Sequence, residues 1–162
     1  MTGRELKGPT MDKLNQLVVF ALGEQRYALH LSDVERIVQV VEITPLPKAP
    51  EIVLGVVNVH GQVIPVLNIR NRFRLPERDM NLSDQLIIAR TAKRTVALVA
   101  DSVRGIAELA AKEVIAAENV IPGMKYVEGV AKLEDGIVFI HNLDKFLCLE
   151  EENKLNDALQ KT

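Results

Sequence analysis

Apolar residues in this chain come in stretches of strand length, divided by turns that carry glycine. Residues 17–22 form one unbroken apolar run. After Gly23-Glu24, residues 26–31 alternate, with Tyr27, Leu29 and Leu31 on one face and Arg26 and His30 on the other. The intervening pair is a hairpin signal. Val59-His60-Gly61-Gln62 reads as a second tight turn, because glycine takes positive φ freely and histidine tolerates the left-handed region better than most residues. Glu134-Asp135-Gly136 supplies its counterpart later in the chain. Strands at short intervals joined by such turns predict a barrel or sandwich. Pro65, inside an apolar strand pattern, marks an edge or a bulge.

Helices are few. Pro45, Pro47 and Pro50 lead into residues 51–54, which suit one short turn with proline near its start. Residues 68–73 and 143–147 are candidates for matching short helices. Residues 150–161 carry acids at their start, where the helix dipole favours them, and a narrow stripe of Leu155, Ala158 and Leu159.

Laid against itself, the sequence shows an internal repeat. Leu17-Val18-Val19-Phe20, Tyr27-Ala28-Leu29 and Asp33-Val34-Glu35-Arg36-Ile37 are echoed by Leu86-Ile87-Ile88-Ala89, Val96-Ala97-Leu98 and Ser102-Val103-Arg104-Gly105-Ile106, 69 positions on, as from Leu17 to Leu86. Residues 55–69 match residues 129–143 at an offset of 74, with 13 positions from Gly55 to Asn68 and from Gly129 to Asn142. The changed offset places a loop insertion of about five residues within 111–125, a tolerated kind of change. The reading is one unit over residues 14–149, with halves 14–80 and 81–149 that can exchange strands, followed by a helical tail over 150–162. Halves this small need to pack on each other.

Composition narrows the chemistry. The 162 residues are 48% hydrophobic and only 4% aromatic, without tryptophan, so the core rests on Val, Ile and Leu, a bias toward strands. A net charge of -2, from 20 basic and 22 acidic residues, gives no reason to expect nucleic acid or a membrane surface as partner. The single Cys148 suits a reducing compartment, and residues 1–15 have no signal-peptide pattern. A cytoplasmic location is expected, without direct membrane insertion. His30, His60 and His141 stand apart, with no metal-ligand spacing. Cys148 has only Lys145 as an evident positive neighbour, His141 reads as bonding locally, and Asp101-Ser102 reads as a cap or turn. No phosphate-cradling glycine loop occurs. No enzyme, cofactor or metal is expected.

The segment Gly55-Val56-Val57-Asn58-Val59-His60-Gly61-Gln62-Val63-Ile64-Pro65-Val66-Leu67-Asn68-Ile69-Arg70 resembles the CheW family of bacterial chemotaxis coupling proteins, whose members carry a Gly, an Asn-x-Arg-Gly turn, a Pro-Val pair and a short helix with Arg. Ala100-Asp101-Ser102-Val103 and Tyr126-Val127-Glu128-Gly129-Val130 resemble its second-half motifs, so the likeness runs over residues 17–149. It implies a mostly β fold of two packed five-stranded SH3-like barrels. It also implies an adaptor in signal transduction that binds the regulatory domain of the histidine kinase CheA and the cytoplasmic tips of methyl-accepting chemoreceptors, in arrays at the inner face of the membrane. A detached kinase regulatory domain of the same fold is the rival reading.

Two positions depart from the family pattern: His60 replaces the turn arginine, and Arg36 stands where members often carry Glu. The usual acid–arginine pairing is thereby lost, which points to shifted partner specificity and a divergent receptor cluster. The positions expected nearest a partner are Val34, Arg36, Gly55, Asn58, His60 and Arg70. Each has a plainer reading too. Val34 suits barrel core, Arg36 a solvated face, Gly55 a bulge, Asn58 a backbone bond, His60 a turn, and Arg70 the cationic end of a short helix.

Overall fold

The computed structural model describes residues 14–116, 126–134 and 136–160. β1 (Leu14–Leu22) and β2 (Gln25–His30) form a hairpin, followed by β3 (Val34–Gln39), the β4 (Val53–Val59) and β5 (Gln62–Leu67) hairpin, and α1 (Ile69–Arg72). The second half holds β6 (Gln85–Arg90), β7 (Thr95–Ala100), β8 (Ser102–Ala110), β9 (Val114–Ala116), β10 (Val127–Leu133), β11 (Gly136–His141) and α2 (Leu149–Gln160). One sheet runs β3-β6-β7-β5-β4 and the other β8-β1-β2-β11-β10-β9.

Each sheet takes one hairpin from one sequence half and its remaining strands from the other. The repeat offsets carry β1 to β6, β2 to β7, β3 to β8, β4 to β10 and β5 to β11, leaving, among the described residues, the short β9 without a counterpart strand. Register follows the same rule. Glu35 is bulged out of β3 and Arg104 out of β8, 69 positions apart; Leu54 in β4 and Glu128 in β10 are bulged 74 positions apart. Bulges bend strands and strengthen twist, which a small barrel requires. Closure is also shared. Beyond β3, Thr44 exchanges both backbone hydrogen bonds with Val56 of β4, at 2.8 and 2.9 Å, while β8 pairs with β1 and the adjoining β9 pairs with β10. The fold is the expected pair of SH3-like barrels, the second enlarged by one short strand.

Three cores result. Val57, Ile64, Val66, Leu86, Ile88 and Ala97 fill the five-stranded barrel; Leu17, Val19, Ala28, Leu109, Ala131, Val138 and Ile140 fill the other. A larger cluster lies between them. Phe20, Leu22, Tyr27 and Leu29 from the first hairpin meet Ile87, Ala89, Val96, Leu98 and Ala100 from the β6–β7 hairpin, together with Phe146, Leu155 and Ala158. The two hairpins are therefore buried on both faces, which explains why residues 17–22 and 86–89 are apolar without alternation.

The short helices are positioned by asparagine. Asn68 accepts the Asn71 N–H at 3.2 Å at the start of α1, and Asn142 accepts the Asp144 N–H at 3.1 Å. In the second half only a 3-10 turn over Leu143–Lys145 follows, rather than an α-helix. Residues 51–52 form a turn with Val53 N–H bonded to the Pro50 carbonyl. Pro65 differs from expectation: β5 lies between β7 and β4, and the bulge on this ladder is at Leu54. The parallel ladder to β7 begins at Val66, so the missing N–H interrupts no β5–β7 pair. The 111–125 insertion lies partly outside the described residues, as do Asp135 of the matching turn and the last two residues of the tail.

Gly55 is fixed by this closure. A Cβ there would fall on the Thr44 carbonyl oxygen and 2.8 Å from Ile43 Cγ2, whereas at Gly129 it would meet Val114 Cγ1 at 2.6 Å, a side-chain methyl. Gly55→Ala is expected to cost about 1–3 kcal/mol, from overpacking against backbone. Urea unfolding should rank it clearly below Gly129→Ala; equal midpoint shifts would contradict the close approach.

Candidate partner-binding surface

The sequence-selected positions divide into two groups. Asn58 and His60 sit at the tip of the β4–β5 hairpin, where Asn58 Oδ1 accepts the Gly61 N–H at 2.9 Å. His60 has φ 52° and Gly61 φ 84°, so both turn residues are left-handed, as a two-residue hairpin turn of matching twist demands. The His60 side chain is exposed, as is Arg36 on β3. Val34, half-buried two residues before Arg36, packs against the shared core. Gly55 is buried and occupied with closure of the barrel.

Arg70 belongs to a different arrangement. Its Nη2 donates to Asp101 Oδ1 at 2.6 Å, and its Nη1 donates to the Pro76 carbonyl at 3.3 Å. Asp101, at the junction of β7 and β8, also accepts from Arg78 and takes the Gly23 N–H on Oδ2 at 2.6 Å. Arg78 reaches on to Asp84 Oδ1 at 2.7 Å, and Asp84 is 1% exposed. One carboxylate thus ties the first hairpin, α1 and the 73–84 connection together. Burial alone would raise the Asp101 carboxyl, but hydrogen bonds from Arg70, the Gly23 amide and Arg78 together hold it below the ordinary value of 3.8.

A second polar set secures α2. Arg72 Nη2 bridges both oxygens of Glu151 at 2.7 Å, and its Nη1 donates to the Tyr126 hydroxyl at 3.1 Å. Arg94 Nε donates to the buried Glu152 at 2.8 Å and a further guanidinium nitrogen bonds Asn156. Burial raises and the Arg72 hydrogen bond lowers the Glu151 carboxyl, with a net downward shift. Beside this set His141 is stacked at 4.3 Å on Phe73 and lies 4.9 Å from the Tyr27 ring. Its Nδ1 bonds the Tyr126 carbonyl at 3.2 Å, a partner 15 residues away rather than a local one. Burial pushes its pKa down to about 3, so the ring stays neutral.

Sequence reasoning read Asp101-Ser102 as a cap or turn; Asp101 instead accepts the Gly23 N–H from 78 residues away, and its convergence with Arg70 and Arg78 was hidden by separations of 31 and 23 residues. No cluster of three metal-ligating side chains occurs among the described residues, and no described helix is long and apolar enough to cross a membrane.

The CheW-like domain family model matches residues 16–152, most of the chain. The chain belongs to the CheW-like family. The chemotaxis protein CheW of Treponema pallidum is similar to this CheW-like chain at 27% identity over 150 residues, covering 89% of this chain and 88% of that protein. The CheW of Thermotoga maritima is 24% identical, covering 82% and 87%. Among solved structures, the scaffolding protein TtCheW from Thermoanaerobacter tengcongensis is similar with a TM-score of 0.78 and 28% identity, covering 86% of this chain and 96% of that one. The CheW likeness spans both sheets, so the two-barrel unit as a whole is what the relatives share.

Asp101→Asn is expected to destabilise the protein by about 1–3 kcal/mol, since it removes a charged acceptor from two guanidinium groups. A depressed carboxyl contributes its stability fully above the unfolded value of 3.8, and the contribution is lost as pH falls through the lower folded value. Urea midpoints should therefore show native and variant converging below about pH 4. A gap that stays constant down to pH 2 would refute the ion cluster as its source. His141 acts over a higher window. The unfolded imidazole takes a proton near 6.5 and the folded one only near 3, so stability falls with pH across that range. The slope is about 1.4 kcal/mol per pH unit. His141→Phe should remove that slope, and an unchanged pH profile would show that the imidazole titrates in the fold.

Proposed function

We propose that this protein is a chemotaxis adaptor that couples chemoreceptor cytoplasmic tips to the regulatory domain of the histidine kinase CheA, by binding alone and without catalysis. The cytoplasmic face of receptor arrays is its place of action. Membership of the CheW-like family supports this reading, as do relatives named for chemotaxis and a structural neighbour named as a scaffolding protein.

The observation that carries it is the pairing of exposed apolar side chains across the two barrels. Ile37 and Val63 on the five-stranded barrel are 38% and 57% exposed; their counterparts by repeat offset, Ile106 and Ile137, are 61% and 55% exposed. Large apolar residues left in solvent at equivalent places on both barrels suit two docking faces on one molecule. Two faces are what a bridging protein needs. Weak single contacts then gain strength when many copies assemble. Arg36 and His60 are both exposed on the five-stranded barrel, so their departure from the family pattern bears on which receptor or kinase that barrel selects. We assign the protein to a divergent receptor cluster on that ground.

Mixing purified protein with a CheA regulatory fragment and a receptor tip fragment tests the assignment. A ternary complex by size-exclusion light scattering is expected, and failure to bind either fragment would remove the adaptor reading. Ile106→Lys with Ile137→Lys should weaken one partner at least tenfold, about 1.4 kcal/mol, and leave the other unchanged. Ile37→Lys with Val63→Lys should do the converse. Loss of both partners in each double variant, with thermal stability retained, would contradict separate faces.

A further inference from the structure

Two buried side-chain nitrogens have no hydrogen-bond partner among the described residues, Arg72 Nε and His141 Nε2. Both residues line the same cavity, a concavity of about 580 Å³ between β2, β11 and the Arg72–Leu75 stretch, walled also by Tyr27, Phe73, Tyr126 and Phe139. That volume lies in the range used for small organic ligands. No carboxylate is among its lining residues; its charged members are Arg72, already engaged by Glu151, and Arg74.

Arg74 is the more informative of the two. Its left-handed backbone, φ 58°, closes α1: the Arg74 N–H bonds the Asn71 carbonyl at 3.3 Å and the Leu75 N–H bonds the Arg70 carbonyl at 2.9 Å, the usual C-terminal cap of a helix. It holds an exposed guanidinium, with no ion-pair partner among the described residues, at the wall of an aromatic cavity. His141 sets a complementary demand. Its Nδ1 faces a carbonyl, which can only accept, so that nitrogen carries the proton and Nε2 is a bare acceptor. A buried acceptor left alone is costly, and a ligand N–H or O–H would satisfy it.

We propose that this seam cavity binds a small aromatic carboxylate whose ring carries an N–H or O–H donor. The ring occupies the space among Tyr27, Phe73 and Phe139, the carboxylate pairs with Arg74, and the ring donor reaches His141 Nε2. Access to that nitrogen requires displacement of Phe73, which is stacked on the imidazole at 4.3 Å. This site is independent of adaptor binding, so its failure and that of the adaptor reading are separately visible.

Because the chain has no tryptophan, an indole probe can be followed by its own fluorescence. Titration of the full chain with indole-3-acetate is expected to give saturable binding, weaker by at least tenfold for 1-naphthaleneacetate, which lacks the ring donor, and for tryptamine, which reverses the charge. Arg74→Gly suits the left-handed cap and removes the guanidinium, so it should raise stability or leave it unchanged while weakening binding at least tenfold. His141→Phe keeps the ring shape and should abolish the preference for indole-3-acetate over 1-naphthaleneacetate. Absence of saturable binding to the native protein at millimolar probe overturns the proposal. So does affinity indifferent to Arg74→Gly, or an indole preference that survives in a folded His141→Phe variant.

Discussion

Burial on both faces of the β1–β2 and β6–β7 hairpins is the constraint from which the remaining architecture follows. A two-stranded ribbon with one apolar face can finish a single barrel. These two hairpins present apolar side chains on both sides, Leu17 and Val19 inward against Phe20 and Leu22 outward, and Leu86 and Ile88 inward against Ile87 and Ala89 outward. Each must therefore close one barrel and cover the other at once. A half of about 70 residues has too little interior to compensate for the exposed outer face. The shared core is thus a condition of either barrel existing.

The strand exchange makes the same point covalently. Since each barrel takes its central hairpin from one half of the sequence and its other strands from the other, separating the barrels would require crossing connections at residues 31–33 and at Asp101. It is at the second of these crossings that Asp101 gathers Arg70, Arg78 and the Gly23 amide. Polar groups at a seam are costly unless every one is paired, and here the carboxylate has more donors than an exposed ion pair could hold. The α2 contacts act likewise: Leu155 and Ala158 are buried in the shared core while Arg72 and Arg94 fix the acidic first turn from outside.

Much of this could be read from residue order. The hairpin at Gly23-Glu24, the turn at His60-Gly61 and the asparagine starts at Asn68 and Asn142 all depend on interactions a few residues long, and those are visible locally. The doubled offsets of 69 and 74 foretold two alike barrels. What residue order concealed was nonlocal. The continuous apolar run at residues 17–22 showed a strand with no polar face, but not which surface would cover its second side. Pro65 looked like an edge or a bulge because a sequence cannot show where a ladder starts along a strand. Arg70 was chosen as surface-facing, and its carboxylate partner lies on the other half of the chain, beyond any periodicity. Tyr126, Phe73 and His141 come from three distant segments and show no common pattern until folded.

An exact internal repeat would give a molecule with two identical faces, and such a molecule could not tell its partners apart. The equivalence here is kept in backbone and broken in charge. Arg36 corresponds by offset to Gly105, and His60 to Glu134; Arg70 corresponds to Asp144, which accepts the Ala92 amide at 2.7 Å instead of binding an acid. Two exposed apolar positions, by contrast, are preserved, isoleucine for Ile37 and isoleucine for Val63, whereas exposed Leu54 corresponds to Glu128. Apolar contact supplies attraction without direction, whereas charge placement rejects the wrong partner through unpaired or opposed groups. A barrel pair with common apolar anchors and divergent charges therefore offers similar grip on each side and different selection. That combination is what the proposed connector role requires of a barrel pair, and it arises from a handful of side chains on an otherwise repeated frame.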